Sequence, residues 1–271
     1  MARSEESRAR ALAGGARDVV SDLDRLPAVD GVVVATTTTA HAEVVEAALG
    51  LDVPVFVEKP LTADVAGAER LVALGSGRVF VMDKWRYHPG IELLAEMARS
   101  RELGPVIGLR TTRVSWGHSF PDVDTVWIHA PHDLAIGLEI LGSVPPVRLA
   151  VGEFVGPQLS GVVALLGDDP WQALEISATS HVRRREIRLL CRDGAAWLGD
   201  GYADHVGVAR ADDVGEEPER RPISTELPLL RELRAFVEHL DGGPAPRSSV
   251  EEGAEVVRRV AELRALAGAT A

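Results

Sequence analysis

The stretch Val55-Phe56-Val57-Glu58-Lys59-Pro60-Leu61-Thr62 decides how the chain is read. With Val53 before it, Val55, Phe56 and Val57 make the apolar, β-branched run expected of a parallel strand buried on both faces. Pro60 has no N–H to donate and so ends the ladder. Thr62 is suited to cap a following helix. Ligands of open α/β sheets lie at the carboxyl ends of the strands, so Lys59 is held where a ligand would sit. A lysine there can give a proton, hold an anion or orient a hydroxyl. The same residues also read as a solvated strand end, and spacing alone does not separate the two.

Working outward, Gly31 to Thr36 is a second buried strand, and Val79 to Met82 a third. Helical patterns fill Ala40 to Leu49 and Ala63 to Leu74. Upstream, Ser4 caps an Ala/Arg-rich helix, Asp18 to Val20 reads as a short strand and Ser21 to Leu26 as a helical turn. Strands alternating with helices at this spacing imply a parallel, doubly wound sheet.

Beyond Met82 the pattern changes. Pro89 to Arg101 is a helix with proline in its first turn. Alternating runs then follow: 106–115, 147–155, 160–166, 172–180, 186–191 and 195–198. Their hairpin-like joints signal a mostly antiparallel open sheet. A helix over Ala130 to Leu141, closed by Gly142, interrupts them. Asp212 to Pro222 is charged and reads as an exposed loop, and two amphipathic helices complete the pattern. The expected organisation is α/β plus α+β: an incomplete Rossmann-type domain over 1–103, then an antiparallel-sheet domain over 104–271 for substrate and oligomerisation.

The chain has 271 residues, a net charge of −12 and one cysteine, Cys191. That length can bury a sizeable core. The charge argues against nucleic acid and anionic membranes as partners. One cysteine excludes an internal disulfide, and no apolar run reaches the ~20 residues of a membrane span. A polar, acidic start and the cysteine usage point to the cytoplasm.

Glu58-Lys59-Pro60 after an apolar strand resembles the EKP signature of the Gfo/Idh/MocA oxidoreductases. Ala35-Thr36-Thr37-Thr38-Thr39-Ala40-His41 is similar to that family's A-T-P-x-x-x-H loop, with Thr37 in place of proline. Lys84-Trp85-Arg86-Tyr87-His88-Pro89 resembles its R-[FY]-x-P segment. Pro131-His132-Asp133-Leu134 resembles its P-H-D segment, with Ile128 where the family commonly has an aspartate.

The resemblance implies an NAD(P)-dependent oxidoreductase acting on a secondary hydroxyl or ketone of a sugar, cyclitol or nucleotide sugar. It implies Lys59 and His132 as catalytic residues. It implies Thr36, Thr37, Thr38, His41, Glu58, Lys59 and Arg86 along NAD or NADP. Substrate contacts would come from Lys59, His129, His132 and Trp116, the last from a loop that also carries His118 and Phe120. Asp133 fits a helix-start role better than a relay to His132. His129 and His132 lack an evident third ligand, so no metal site is expected. A homo-oligomer through the open sheet is expected as well.

One part is missing. No G-x-G-x-x-G turn follows a first strand, and Gly75-Ser76-Gly77 follows a helix instead. The expectation is that the start is set too far downstream. The rivals are a partner chain that completes the sheet, or a cofactor-free, non-catalytic relative that binds ligands.

Overall fold

In a computed structural model, residues 4–117 and 122–269 are described. Helix α1 (Glu5–Ala13) opens them, capped by Ser4, and buries no residue. A three-stranded parallel sheet follows: β1 (Val32–Val34), β2 (Val55–Glu58) and β3 (Val79–Met82), in that order across the sheet. Helices α2 (His41–Leu49) and α3 (Val65–Gly75) connect the strands. Asp64 caps α3 by accepting the Gly67 amide at 2.7 Å. That role was expected of Thr62, whose hydroxyl instead donates to the Asp64 carbonyl at 2.6 Å.

Strand β2 is central and fully buried at Val55, Phe56 and Val57, as a both-faces-covered parallel strand should be. Strand β1 is an edge, with Val33 50% exposed. Asp18 to Val20 is not a strand. Three residues with no neighbouring strand to pair with gain no ladder bonds, so β-propensity there has nothing to act on.

Helix α4 (Pro89–Ser100) leads into the second sheet. Its strands are β4 (Val106–Trp116), β5 (Val147–Val155), β6 (Gln158–Leu166), β7 (Trp171–Ser177), β8 (Thr179–Cys191), β9 (Gly194–Leu198), β10 (His205–Arg210) and β11 (Glu219–Pro222). They lie in the order β11-β10-β9-β8-β4-β7-β6-β5, antiparallel except for the β4–β7 pair. Strand β11 falls in the segment expected to be a loop. It pairs with β10 from His205↔Pro222 to Val208↔Glu219. Its charge and proline suit an edge strand, which needs to bond on one side only.

Helix α5 (Thr125–Leu141) packs on this sheet, and α6 (Pro228–Leu240) and α7 (Val250–Leu266) return to the first one. Phe236 of α6 stacks on Phe56 of β2 at 4.7 Å between ring centres. Just before α7, the Ser248 carbonyl accepts the Val81 amide at 2.9 Å, and Ser249 forms an isolated bridge with Phe80. One core cluster runs from Val34 and Val57 through Val126 to Ala150 and Val257. In sequence α4 separates the two sheets, while the last two helices join them in space.

The outer face of the large sheet carries Leu149, Val151 and Val163, at 58, 60 and 59% exposed. Among the described residues, no helix is long and apolar enough to cross a membrane.

Candidate active site

Three strand ends converge at one side of the parallel sheet. Strand β1 delivers Thr36 and Thr37, β2 delivers Glu58 and Lys59, and β3 delivers Asp83 and Lys84. The first turns of α5 face them, because the Lys59 ammonium donates to the Ile128 carbonyl at 3.1 Å. Helix α5 begins earlier than its sequence pattern implies. Asp124 caps it, accepting from the amides of Val126 and Trp127 at 3.0 and 3.1 Å, and Arg264 of α7 holds the other carboxylate oxygen at 2.7 Å. Pro131 lies inside the helix and cannot donate to the carbonyl four residues back.

His132 sits one turn beyond Ile128. Its Nδ1 is buried and has no hydrogen-bond partner among the described residues. Buried polar atoms are nearly always satisfied, so an orphan nitrogen beside a lysine is a mark of function. The pKa of His132 is held well below the usual imidazole range, first by burial and then by the charges of Lys59, Arg113 and Lys84, with His129 adding to them. It is therefore neutral at physiological pH and able to accept a proton. Burial also lowers the pKa of Lys59, against the opposing pull of Glu58 and Asp83.

Asp133 is not at a helix start. It is 1% exposed and takes a bidentate bond from Arg113 of β4, at 2.9 and 3.2 Å. The guanidinium of Arg113 lies over the Trp85 ring, 4.9 Å from its centre. Trp85 in turn stacks on His88 at 5.3 Å and meets the His132 ring edge-on at 6.5 Å. Asp133, Arg113 and Trp85 thus form a rigid floor under His132.

Beneath β3, Asp83 is 3% exposed, and burial lifts its pKa to about 6. Glu232 of α6 is fully buried with neither carboxyl oxygen bonded among the described residues. Burial, reinforced by Asp83 and Glu58, raises its pKa to about 9, so it is a neutral acid at pH 7.

Several expected ligand contacts have other uses. Arg86 is 8% exposed and spends its donors inside the protein: Nε on Glu139 at 3.0 Å, and NH1 on the Arg247 carbonyl, Ser248 and Glu252 at 2.7, 3.1 and 2.9 Å. Through these bonds it ties the turn Lys84–Tyr87 to α5 and α7. His41 is 1% exposed, with Nδ1 2.8 Å from the Pro60 carbonyl and Nε2 3.3 Å from that of Thr36. It clamps two strand-end loops together. Thr38 is buried and its amide donates to Asp122 at 2.9 Å. Thr36 and Thr37 remain exposed, at the mouth of a groove of about 640 Å³ along β1 whose walls include Val32, Val33 and Val44. The carboxylate of Glu58 accepts the Lys59 amide at 3.1 Å. Trp116 stands 70% exposed at the end of β4, and His118 and Phe120 lie outside the described residues. Among the described residues, no group of three or more His, Cys, Asp or Glu is placed to hold a metal ion.

Sequence reasoning missed Asp83, Arg113 and Glu232. Asp83 was accessible to it, since it occupies on β3 the strand-end position that singled out Lys59 on β2. Arg113 and Glu232 lie within a strand and a helix, where only their burial distinguishes them.

Residues 2–78 match an oxidoreductase family with an NAD-binding Rossmann fold, Gfo/Idh/MocA. That match spans less than a third of the chain. Inositol 2-dehydrogenase of Cereibacter sphaeroides is 38% identical over 106 residues, 38% of this chain and 31% of that protein. UDP-N-acetylglucosamine 3-dehydrogenase of Acidithiobacillus ferrooxidans is 30% identical over 131 residues, 47% of this chain and 41% of that protein. These alignments span well under half the length of the curated relatives. A solved structure of the latter enzyme superposes with a TM-score of 0.85 at 21% identity, covering 97% of this chain and 87% of that one. The fold shared with that structure thus extends through both sheets, well beyond residues 2–78.

Proposed function

We infer that this chain is an NAD(P)-dependent oxidoreductase of the Gfo/Idh/MocA family, acting on a secondary hydroxyl or ketone of a sugar, cyclitol or nucleotide sugar. The observation that carries this reading is the meeting of Lys59 with a neutral His132 whose Nδ1 lacks a partner. A substrate hydroxyl held between them would receive a hydrogen bond from the Lys59 ammonium and give its proton to the imidazole. The floor of Arg113 and Trp85 keeps the imidazole from turning away. In the reverse direction His132 would return that proton to the new alkoxide while Lys59 stabilises the charge.

The residues present fit the cofactor along one side. Thr36 and Thr37 offer hydroxyls to ribose or phosphate oxygens, and the β1 groove offers an apolar wall. When bound, a nicotinamide dinucleotide supplies the acceptor or donor of the hydride. Ile128 supplies a backbone carbonyl to Lys59 where relatives are expected to supply a carboxylate, so the ammonium here is steered without being neutralised. The apolar outer face of the large sheet is suited to a second copy of the chain, since exposed patches of this kind mark interaction surfaces.

Titration with NADH and NADPH, read by nicotinamide fluorescence, tests the cofactor. Hydride transfer to a panel of keto sugars and ketocyclitols then tests the reaction. Saturable binding and turnover, with turnover lost in Lys59→Met, are the expected results. Folded protein that binds neither nucleotide would overturn the enzyme reading, and binding without turnover on any panel member would leave a ligand-binding module.

A further inference from the structure

The basic run Arg183-Arg184-Arg185 divides between the two faces of β8. Arg184 points outward and pairs with Glu186 at 2.9 Å. Arg183 and Arg185 alternate onto the inner face, in line with the buried Ile187 and Leu189. There Arg185 stands directly opposite Arg113 in the β4–β8 register. Like charges opposite one another destabilise a sheet unless something neutralises them. Asp133 neutralises Arg113. Among the described residues, no carboxylate forms an ion pair with Arg185 or with Lys84.

These two cations line one pocket of about 220 Å³, with Trp85, Tyr202 and the start of α6. Lys84 and Lys59 are the only lysines in a chain of 41 acidic and 29 basic residues. Asp200 acts on Arg185 and Glu232 on Lys84 without forming an ion pair, so the two cations on one wall leave a charge for a ligand to balance. The first turn of α6 adds to the positive field, because its N-terminus has no side-chain cap. Gly201 lets the wall close on the indole, since a Cβ there would lie 2.6 Å from Trp85. The centre of the same indole lies 6.5 Å from that of the His132 ring.

We propose that this pocket binds a compact anionic group, a carboxylate or a monophosphate, carried by the substrate whose hydroxyl reaches Lys59 and His132. The proposal rests on the assignment of that pair as the reactive site. A volume below the ~300 Å³ of ordinary ligand pockets suits one such group rather than a whole nucleotide. Guanidinium and ammonium together recognise it by charge and by hydrogen bonds, and an adjacent helix N-terminus strengthens the attraction.

The test follows the Trp85 indole N–H in the ¹H–¹⁵N spectrum of the full chain, assigned by its loss in Trp85→Phe. Inorganic phosphate and acetate are the probes. A saturable shift is expected, weakened about tenfold or more in Arg185→Gln and in Lys84→Gln, and weakened by added salt. The stronger response, to phosphate or to acetate, assigns a sugar phosphate or a sugar acid. No saturable shift with either anion, or equal affinity in both variants, overturns the proposal. Lys59→Met separates the two readings. It keeps anion binding while losing hydride transfer if both hold, and if anion binding persists in a wild-type chain with no turnover, only the reactive-site assignment falls.

Discussion

Two buried polar regions flank the turn Lys84–Tyr87, and they are built on opposite terms. On one side Nε and NH1 of Arg86 meet Glu139, Glu252, Ser248 and a carbonyl. On the other, the orphan nitrogen of His132 faces Lys59, whose ammonium meets a single backbone carbonyl, and the carboxyl of Glu232 lies unbonded below. Both are costly to bury. Matching recovers that cost within the protein, as in a structural tie. Leaving groups unmatched keeps the protein poised for something from outside.

This contrast predicts that the two regions break differently. The largest effect should come from the unmatched side: His132→Ala or Lys59→Met lowers kcat by about 10²–10⁴-fold, the range for loss of a positioned acid or base. Steady-state kinetics and a melting curve on the same samples check it, and an unchanged Tm with lost turnover is the expected pair. On the matched side, Arg86→Leu strands Glu139 and Glu252 and should cost about 3–5 kcal/mol of stability in urea titration, as for other broken buried pairs. If Arg86→Leu instead left stability intact and removed nucleotide binding, the contrast would be inverted.

Glu232→Gln is the finer probe. The folded pKa of Glu232 is raised to about 9 from the ordinary 4.5 of a glutamate carboxyl. Its contribution to stability is therefore fully present below about pH 4.5, and it declines as pH rises toward 9. An isosteric amide does not ionise, so the variant should flatten the alkaline arm of the stability curve. A gain of on the order of 1–2 kcal/mol at pH 8 is expected in denaturant titration. His132 has the opposite sign. Its depressed pKa leaves the folded state at full stability above about pH 6.5, with loss setting in as pH falls below that value and the unfolded chain takes up the proton first. For the same reason, the rate of alcohol oxidation should show no acid limb at pH 6.5, only a lower one. The smallest effect belongs to Arg184→Ala on the solvated face, under about 0.5 kcal/mol, because exposed pairs such as Arg184–Glu186 are screened.

The strands most easily read from sequence were those whose environment is simplest. Val55 to Val57 and Val79 to Met82 are buried on both faces, so their pattern carries no ambiguity. Both β11 and the start of α5 escaped for a common reason. Pairing with β10 and the cap by Asp124 come from partners distant in sequence or from one polar atom, and neither alters the local hydrophobic period. At the candidate site, a strand end and a motif single out Lys59 and His132, which the fold brings close together. The fate of Arg86 was not legible, since a motif fixes where an arginine stands in the chain but not that two glutamates from later helices will close around it. Asp133 shows the same limit, its partner Arg113 lying twenty residues upstream on a different element.

The return of residues 248–266 to the first sheet has a consequence for the order of assembly. Chains made on the ribosome commonly fold their leading domain first. Here β3 donates an edge bond to the Ser248 carbonyl, and the core beside it is completed by Val256, Val257 and Val260 of α7. The first sheet therefore stays open until residues 248–266 have emerged, and the half that carries Lys59 is sealed after the strands of the second sheet.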